Sequence, residues 1–345
     1  MSRSASVDDE KTIATTGWRD RVTPSTLWPR LQIWLTGRKH STIGFSVLRV
    51  LFGVAMLIVL VPSYADRHYL WGAGAWWVDP EANRRGWWEP LRMLFPKDNA
   101  VVFDLSFHVL LALAILFVVG FQTRWVTPVL LVFWVGLSTN SMLLGNGGDT
   151  LMRIVLFFVV FADLSRHFSV DAWMRRRRGI RPSRLSGRMP TWVPPWLAIW
   201  AHNTALILCV FQILLVYLVS SVLKFQGEEW LDGTAIYYAL SIEQFHVLPA
   251  LSQLAWQSAP VVALATWTAL WVQMLFPVLI LWKPTRCAAV FVITGMHLSI
   301  AILLGLWPFS LAMIALDLLL VRDGSWNRLG SRVGSVRRGL LSPAT

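Results

Sequence analysis

WLAIWAHNTALILCVFQILLVYLVSSVLK, running from Trp196 to Lys224, decides the fold. It carries no acid and no base other than His202 until the lysine that ends it. A helix rises about 1.5 Å per residue, so about 20 apolar residues cross the hydrocarbon core of a bilayer. This run is long enough to do so. The chain then turns abruptly into FQGEEWLDGTA, Phe225 to Ala235, with two glutamates, a tryptophan and Asp-Gly. Such an ending suits interface punctuation, and it equally suits the edge of a reactive site.

Apolar runs of the same kind lie near 43–62, 101–121, 125–144, 149–166, 258–282, 286–305 and 308–321. Backbone groups in lipid must be satisfied within each segment, and these lengths suit helices rather than barrel strands. The fold expected is therefore all-α, a polytopic transmembrane bundle of about eight spans. The count falls to seven if the last, short and opening at Pro308, does not cross. Composition agrees: 55% of the 345 residues are apolar, 14% are charged, and 21 are tryptophan. That leaves too little polar surface to coat a soluble globule. The net charge of +12 is gathered in short segments between apolar runs, the membrane pattern, so no nucleic-acid partner is expected.

Eight spans fix which loops share a side. The basic segments are 1–41 (with Arg30, Arg38 and Lys39), 167–195 (with Arg175 to Arg178), the turn holding Lys283 and Arg286, and 323–345. With both termini cytoplasmic, all of them fall inside, as the positive-inside rule demands. The other side receives the 62–100 loop, GNGGD, and the 225–257 segment. A multi-pass protein of the cell (inner) membrane with a 42–322 membrane domain is expected. The N-terminus does not read as a cleavable signal, because polar and basic residues precede the first apolar run. Trp71, Trp76, Trp77, Trp87 and Trp88 in the long loop fit an interfacial belt or a lid. Cys209 and Cys287 both read as buried structural thiols.

Ionisable residues inside spans are costly and usually face the bundle interior with partners. Depth sorts them into two layers. Arg49, Asp163 and Asp317 lie toward the cytoplasmic side and read as a structural ion-pair clamp. The outer layer holds Asp104 and His108, Asp149 and Arg153, His297 and Lys224. Each of the first two pairs is spaced i, i+4, on one helix face. Tyr217 and Ser220 share the face of Lys224. Lys224 either snorkels to the interface or, if desolvated, serves as a general base. Asp149 and Arg153 read as a local pair, and the two histidines as core side chains or site members. No metal signature is present, and no Walker loop, GxSxG or dinucleotide fingerprint.

YLVSSVLKFQGEEWLDGTAIYYAL (Tyr217 to Leu240) resembles the lysine-tryptophan-glycine signature of the HTTM (horizontally transferred transmembrane) family. That family is related to the membrane part of vitamin K-dependent gamma-carboxylase. VLRVLFG (Val47 to Gly53), FADLSRHFSVD (Phe161 to Asp171) and GMHLSIAILLGLWPFSLAMIALDLLL (Gly295 to Leu320) resemble its other motifs, in the expected order. The resemblance covers roughly residues 42–322. It implies a helical membrane fold, with Lys224 in the place of the carboxylase lysine that acts as base on reduced vitamin K, outside the cytoplasm. The chain reads GNGGD where the carboxylase opens its fourth span with a histidine, which disfavours glutamate carboxylation.

The function expected is a membrane-embedded enzyme working on a lipid quinone or quinol, or on an exported peptide or protein. Lys224 would be the base, aided by His297, Asp149 and Arg153, with Tyr217, Trp230, Asp232 and His108 binding substrate or cofactor. The alternative is a non-catalytic scaffold, a toxin maturation or immunity factor, or a permease component, with the bilayer as its partner in either case.

Overall fold

The computed structural model describes residues 24–75, 89–141, 144–179, 194–243 and 247–331, and among these it is entirely helical. In order come α1 (Pro24–Gly37), α2 (Thr42–Leu60), α3 (Arg67–Leu70), α4 (Ala100–Val119), α5 (Thr123–Ser138), α6 (Gly147–Val159) and α7 (Val170–Arg177). They are followed by α8 (Pro195–Lys224), α9 (Glu228–Leu231), α10 (Ala235–Ser241), α11 (Pro249–Trp256), α12 (Ala259–Leu279), α13 (Lys283–Leu304) and α14 (Trp307–Asp317). Each of the eight apolar runs yields a helix. Five of these, α2, α4, α8, α12 and α13, are long and apolar enough to cross a membrane. α5, α6 and α14 are shorter, at 16, 13 and 11 residues. At 1.5 Å per residue the longest of these three measures about 24 Å, less than the roughly 30 Å of a hydrocarbon core.

They stop early at their C-terminal ends, at Ser138, Val159 and Asp317, and local chemistry sets the starts of the first two. α5 opens only after a tight turn in which Gly120 and Gln122 both take positive φ, and Asp171 accepts the N–H groups of Gln122 and Thr123. α6 opens at a reciprocal cap, two residues before its apolar run: Asn146 accepts the Gly148 and Asp149 N–H groups, and the Asp149 carboxylate accepts that of Asn146. The GNGGD stretch is thus a helix start.

α2 is the central post. It packs on α4 and α14, while α8 packs on α12, α1 and α6. Phe45, Leu48, Phe52, Phe103, Phe107, Phe117, Ile213 and Met313 contribute to the core between them. The start of α2 is held from outside its own helix. Asp323 Oδ1 accepts the Ile43 N–H at 2.9 Å, and Oδ2 accepts the Thr42 N–H at 3.1 Å. Asn203 of α8 ties down the preceding turn by donating to the Trp34, Leu35 and Arg38 carbonyls.

The expected clamp of Arg49, Asp163 and Asp317 does not form. Arg49 is fully buried, and its guanidinium donates to the carbonyls of Phe117, Val118 and Phe168. One of them, that of Val118 at the end of α4, has no backbone donor of its own, so the arginine acts as a C-terminal cap. Gly120 is required there, since any Cβ would strike the guanidinium. Asp163 pairs instead with Lys39 at 2.9 Å, joining the α6 exit to the turn before α2. Asp317 lies elsewhere, with Tyr217. Cys209 is buried as expected, but Cys287 is exposed, because the first turn of α13 stands clear of the core. Trp71 is buried, whereas Trp76, Trp77, Trp87 and Trp88 lie outside the described residues.

The packing gathers the basic segments at one end. Arg38, Lys39, Lys283, Arg286 and Arg322 line one cavity there, and Arg166 and Arg175 flank neighbouring ones. The C-terminus of α8 and the EEWLDG turn lie at the far end of that long helix. Removing the carboxylate in Asp323→Ala is expected to cost about 1–2 kcal/mol, the range for a lost helix N-cap. Asp323→Asn should lose less. Thermal unfolding in detergent measures both.

Candidate functional site

α8 supplies the frame. Tyr217, Ser220 and Lys224 fall on one of its faces, spaced three and four residues apart, and seven residues lift Lys224 about 10 Å above Tyr217. At the upper level Lys224 Nζ donates to Ser220 Oγ at 3.1 Å and to Gln273 Oε1 of α12. Nζ also stands 4.9 Å from the centroid of the Trp230 ring, a cation–π contact. The three ion pairs among the described residues do not include this lysine. Its partners are an amide, a hydroxyl and an indole, all neutral.

The turn after α8 explains how Trp230 reaches it. Gly227 begins the single turn α9, which brings Trp230 back over the end of α8. Gly233, at positive φ, lies against the Trp267 ring, and Trp267 Nε1 donates to the Leu231 carbonyl at 3.2 Å. The EEWLDG segment is thereby docked on α12. Asp232 is exposed and accepts from the Thr234 N–H and hydroxyl, so its role there is to form the turn.

At the lower level Tyr217, Asp317 and His297 meet from α8, α14 and α13. The Tyr217 hydroxyl lies 2.9 Å from both Asp317 oxygens and 3.1 Å from His297 Nε2. All three residues are almost fully buried. With the phenol O–H donated to the carboxylate, His297 donates through Nε2–H to the phenol oxygen. His297 Nδ1 then has no hydrogen-bond partner. Gln273 links the two levels: its Nε2 lies 3.7 Å from the sulfur of Met296, the neighbour of His297.

A profile of the HTTM domain matches residues 38–326, most of the chain. The chain belongs to the HTTM family. It is also 25% identical, over 230 residues, to "Uncharacterized protein YitO" of Bacillus subtilis (strain 168), covering 65% of this chain and 68% of that one. No solved structure matches it. This HTTM protein is accordingly a multi-pass membrane protein, as its apolar helices require.

The outer layer read from the sequence separates into three groups. Lys224, Tyr217, His297 and Trp230 belong together. Asp149 and Arg153 stand beside them, one aromatic ring away. Phe309 meets the His297 ring edge-on at 5.7 Å, and its Cα would lie 2.8 Å from a Cβ on Gly148. Asp149 and Arg153 do not bond one another: Arg153 donates to Thr150, and Asp149 caps α6. Asp104 and His108 form a separate group across the molecule. Asp104 pairs with Arg67 at 2.8 Å and His68 at 3.0 Å, while exposed His108 meets the Tyr64 hydroxyl at 2.8 Å. Two members were not assigned from the sequence. Gln273 is an uncharged amide inside an apolar helix, a weak but visible signal. Asp317 reads from the sequence as a clamp residue, because depth alone does not show which face a carboxylate takes.

Tyr217→Phe leaves the buried Asp317 carboxyl without its donor and is expected to destabilise the protein by about 1–3 kcal/mol. Adding Asp317→Leu should restore much of that loss, since removing both partners abolishes the unpaired polar group. Unfolding of the two single variants and the double variant in detergent gives the coupling directly.

Proposed function

We propose that this HTTM protein is a membrane-embedded enzyme in which Lys224 is the general base for a substrate at the bilayer surface. The observation that carries this reading is the setting of Lys224: half-buried, without a carboxylate partner, and aimed by Gln273 and Ser220. In its neutral form such an amine takes a proton from an acidic O–H or N–H of the substrate. His297 and Tyr217 position charge below it, and Asp149 and Arg153 border the site through Phe309. Trp230 closes it from above. The substrate class is a lipid quinol or an exported peptide. The surroundings fit a flat quinone head group, because Trp230 faces the amine and Phe225 packs on Trp271 at 5.4 Å just beside it. The basic end of the bundle is then cytoplasmic, with both termini there, eight helices crossing or partly crossing, and the site facing the outside of the cell membrane.

A second reading has its own support. The cation–π contact to Trp230 also suits a lysine that simply anchors α8 at the interface, in a non-catalytic scaffold, immunity or maturation factor, or permease component. Lys224→Arg separates the two, because arginine keeps charge and reach but does not deprotonate. On the enzymatic reading Lys224→Arg is as inactive as Lys224→Ala in a complementation assay. Protein purified from native membranes carries quinone detectable by mass spectrometry, and Lys224→Ala carries several-fold less. Full complementation by Lys224→Arg, together with equal quinone content in all forms, would reject the enzyme and leave the anchor.

A further inference from the structure

At the basic end, α1, α8, the start of α13 and the segment following α14 enclose a cavity of about 930 Å³. Its rim and its wall differ in chemistry. Arg38, Lys283, Arg286, Arg322 and Arg328 stand at the rim. The wall is apolar and runs along α8 through Leu206, Val210, Phe211 and Leu214, a rise of about 12 Å into the bundle. Phe211 turns 60% of its surface outward, so the furrow opens sideways to the surroundings of the helices. A second cavity of about 260 Å³, lined by Val290, Phe291 and Val321, shares Lys283, Arg286, Arg322 and Ser325 with the first. One cationic cluster therefore heads two apolar furrows.

These cations are uncommitted. The three ion pairs among the described residues involve none of the five rim residues. The carboxylate in the cavity, Asp323, has both oxygens engaged by Thr42 and Ile43 at the start of α2. Arg328 donates only to the Gly324 carbonyl. Burial and the adjacent Arg38 push the His40 imidazole below its ordinary value, so at neutral pH the charge of the rim belongs to the arginines and Lys283.

We infer that this cleft is a binding site for an anionic diacyl phospholipid. The phosphate sits among Lys283, Arg286 and Arg322, where guanidinium forks match its oxygens. The acyl chains lie in the two furrows that meet there. Inorganic phosphate would satisfy the rim and leave the furrows empty, whereas a zwitterionic lipid would fill the furrows and bring a second cation into the cluster. Only the anionic lipid answers both halves. The site is separate from Lys224, and its occupant holds α1, α8 and α13 together from the leaflet at the basic end.

The test uses the full chain, delipidated in neutral detergent and exposed to micelles doped with phosphatidylglycerol or phosphatidylcholine, with retained lipid counted by native mass spectrometry. Phosphatidylglycerol is expected to be retained about tenfold or more over phosphatidylcholine, given roughly 1 kcal/mol per basic residue near an anionic lipid. Arg286→Gln with Arg322→Gln should abolish that preference. The same charge removed elsewhere, in Arg176→Gln with Arg178→Gln, should leave it intact. Val210→Trp, which narrows the furrow and keeps every charge, should lower retention several-fold. Millimolar inorganic phosphate should not displace the bound lipid. Equal retention of both lipids, an equal loss in the two arginine pairs, or full displacement by phosphate each overturns the inference. Unchanged melting of the lipid-free variants separates loss of the site from loss of the fold.

Discussion

A polar or charged side chain inside an apolar bundle has to find its partner within the protein, and most of this structure follows from that demand. Water is absent from the core of a bilayer, so a group left unpaired there costs several kcal/mol. Arg49 meets the demand through its two terminal nitrogens, which cap α4 and grip the Phe168 carbonyl, while its Nε stays unpartnered. Asn203 meets it by gathering three carbonyls of the turn before α2. Asp317 meets it through the Tyr217 hydroxyl. In each case a single side chain joins segments far apart in sequence. Apolar packing alone tolerates sliding and rotation, because one aliphatic surface fits another in many registers. A guanidinium bonded to three carbonyls does not.

The same constraint builds the candidate site. α8 is rigid and long, so residues three, four and seven apart stand in line, and Tyr217, Ser220 and Lys224 become a ladder along one face. Each rung then selects a neighbour. Tyr217 takes α13 and α14 through His297 and Asp317, and Lys224 takes α12 through Gln273. The EEWLDG turn closes the top by laying Gly233 on Trp267 and bringing Trp230 over the amine. The acidic turn that interrupts the sequence after Lys224 thus has a mechanical role, and its own carboxylates stay outside the ladder: Glu228, Glu229 and Asp232 are exposed.

Hydropathy made the helices legible, because eight apolar runs are long-range features that no local packing reverses. The ladder on α8 was equally legible, since helical spacing alone places Tyr217, Ser220 and Lys224 together. What could not be read was the pairing between helices. Depth along the membrane put Arg49, Asp163 and Asp317 in one layer, and the same reasoning put His108 beside Lys224. Depth is one coordinate, and the angle around the bundle axis is another that sequence does not supply. Arg49 also had an alternative that carboxylate counting overlooks, since the last carbonyls of a helix are acceptors waiting for a donor. Three of the eight helices proved shorter than their apolar runs, each at its C-terminal end: α5 stops at Ser138, α6 at Val159 and α14 at Asp317, while hydropathy stays high beyond them.

The two ends of the molecule treat their cations differently, and the contrast bears on function. At the basic end, Lys39 is bonded to Asp163 and Arg175 to the Ser165 carbonyl, while Arg38, Arg286, Arg322 and Arg328 line an open cavity, as suits contact with an anionic surface. At the other end stands Lys224, surrounded by groups that accept or stack without bringing a negative charge. A carboxylate in place of Gln273 would bond Nζ just as well and would fix it as an ammonium. The amide holds the nitrogen in place for either protonation state. A neutral partner is therefore the less stabilising choice for a structural lysine and the more useful one for a lysine that must gain and lose a proton.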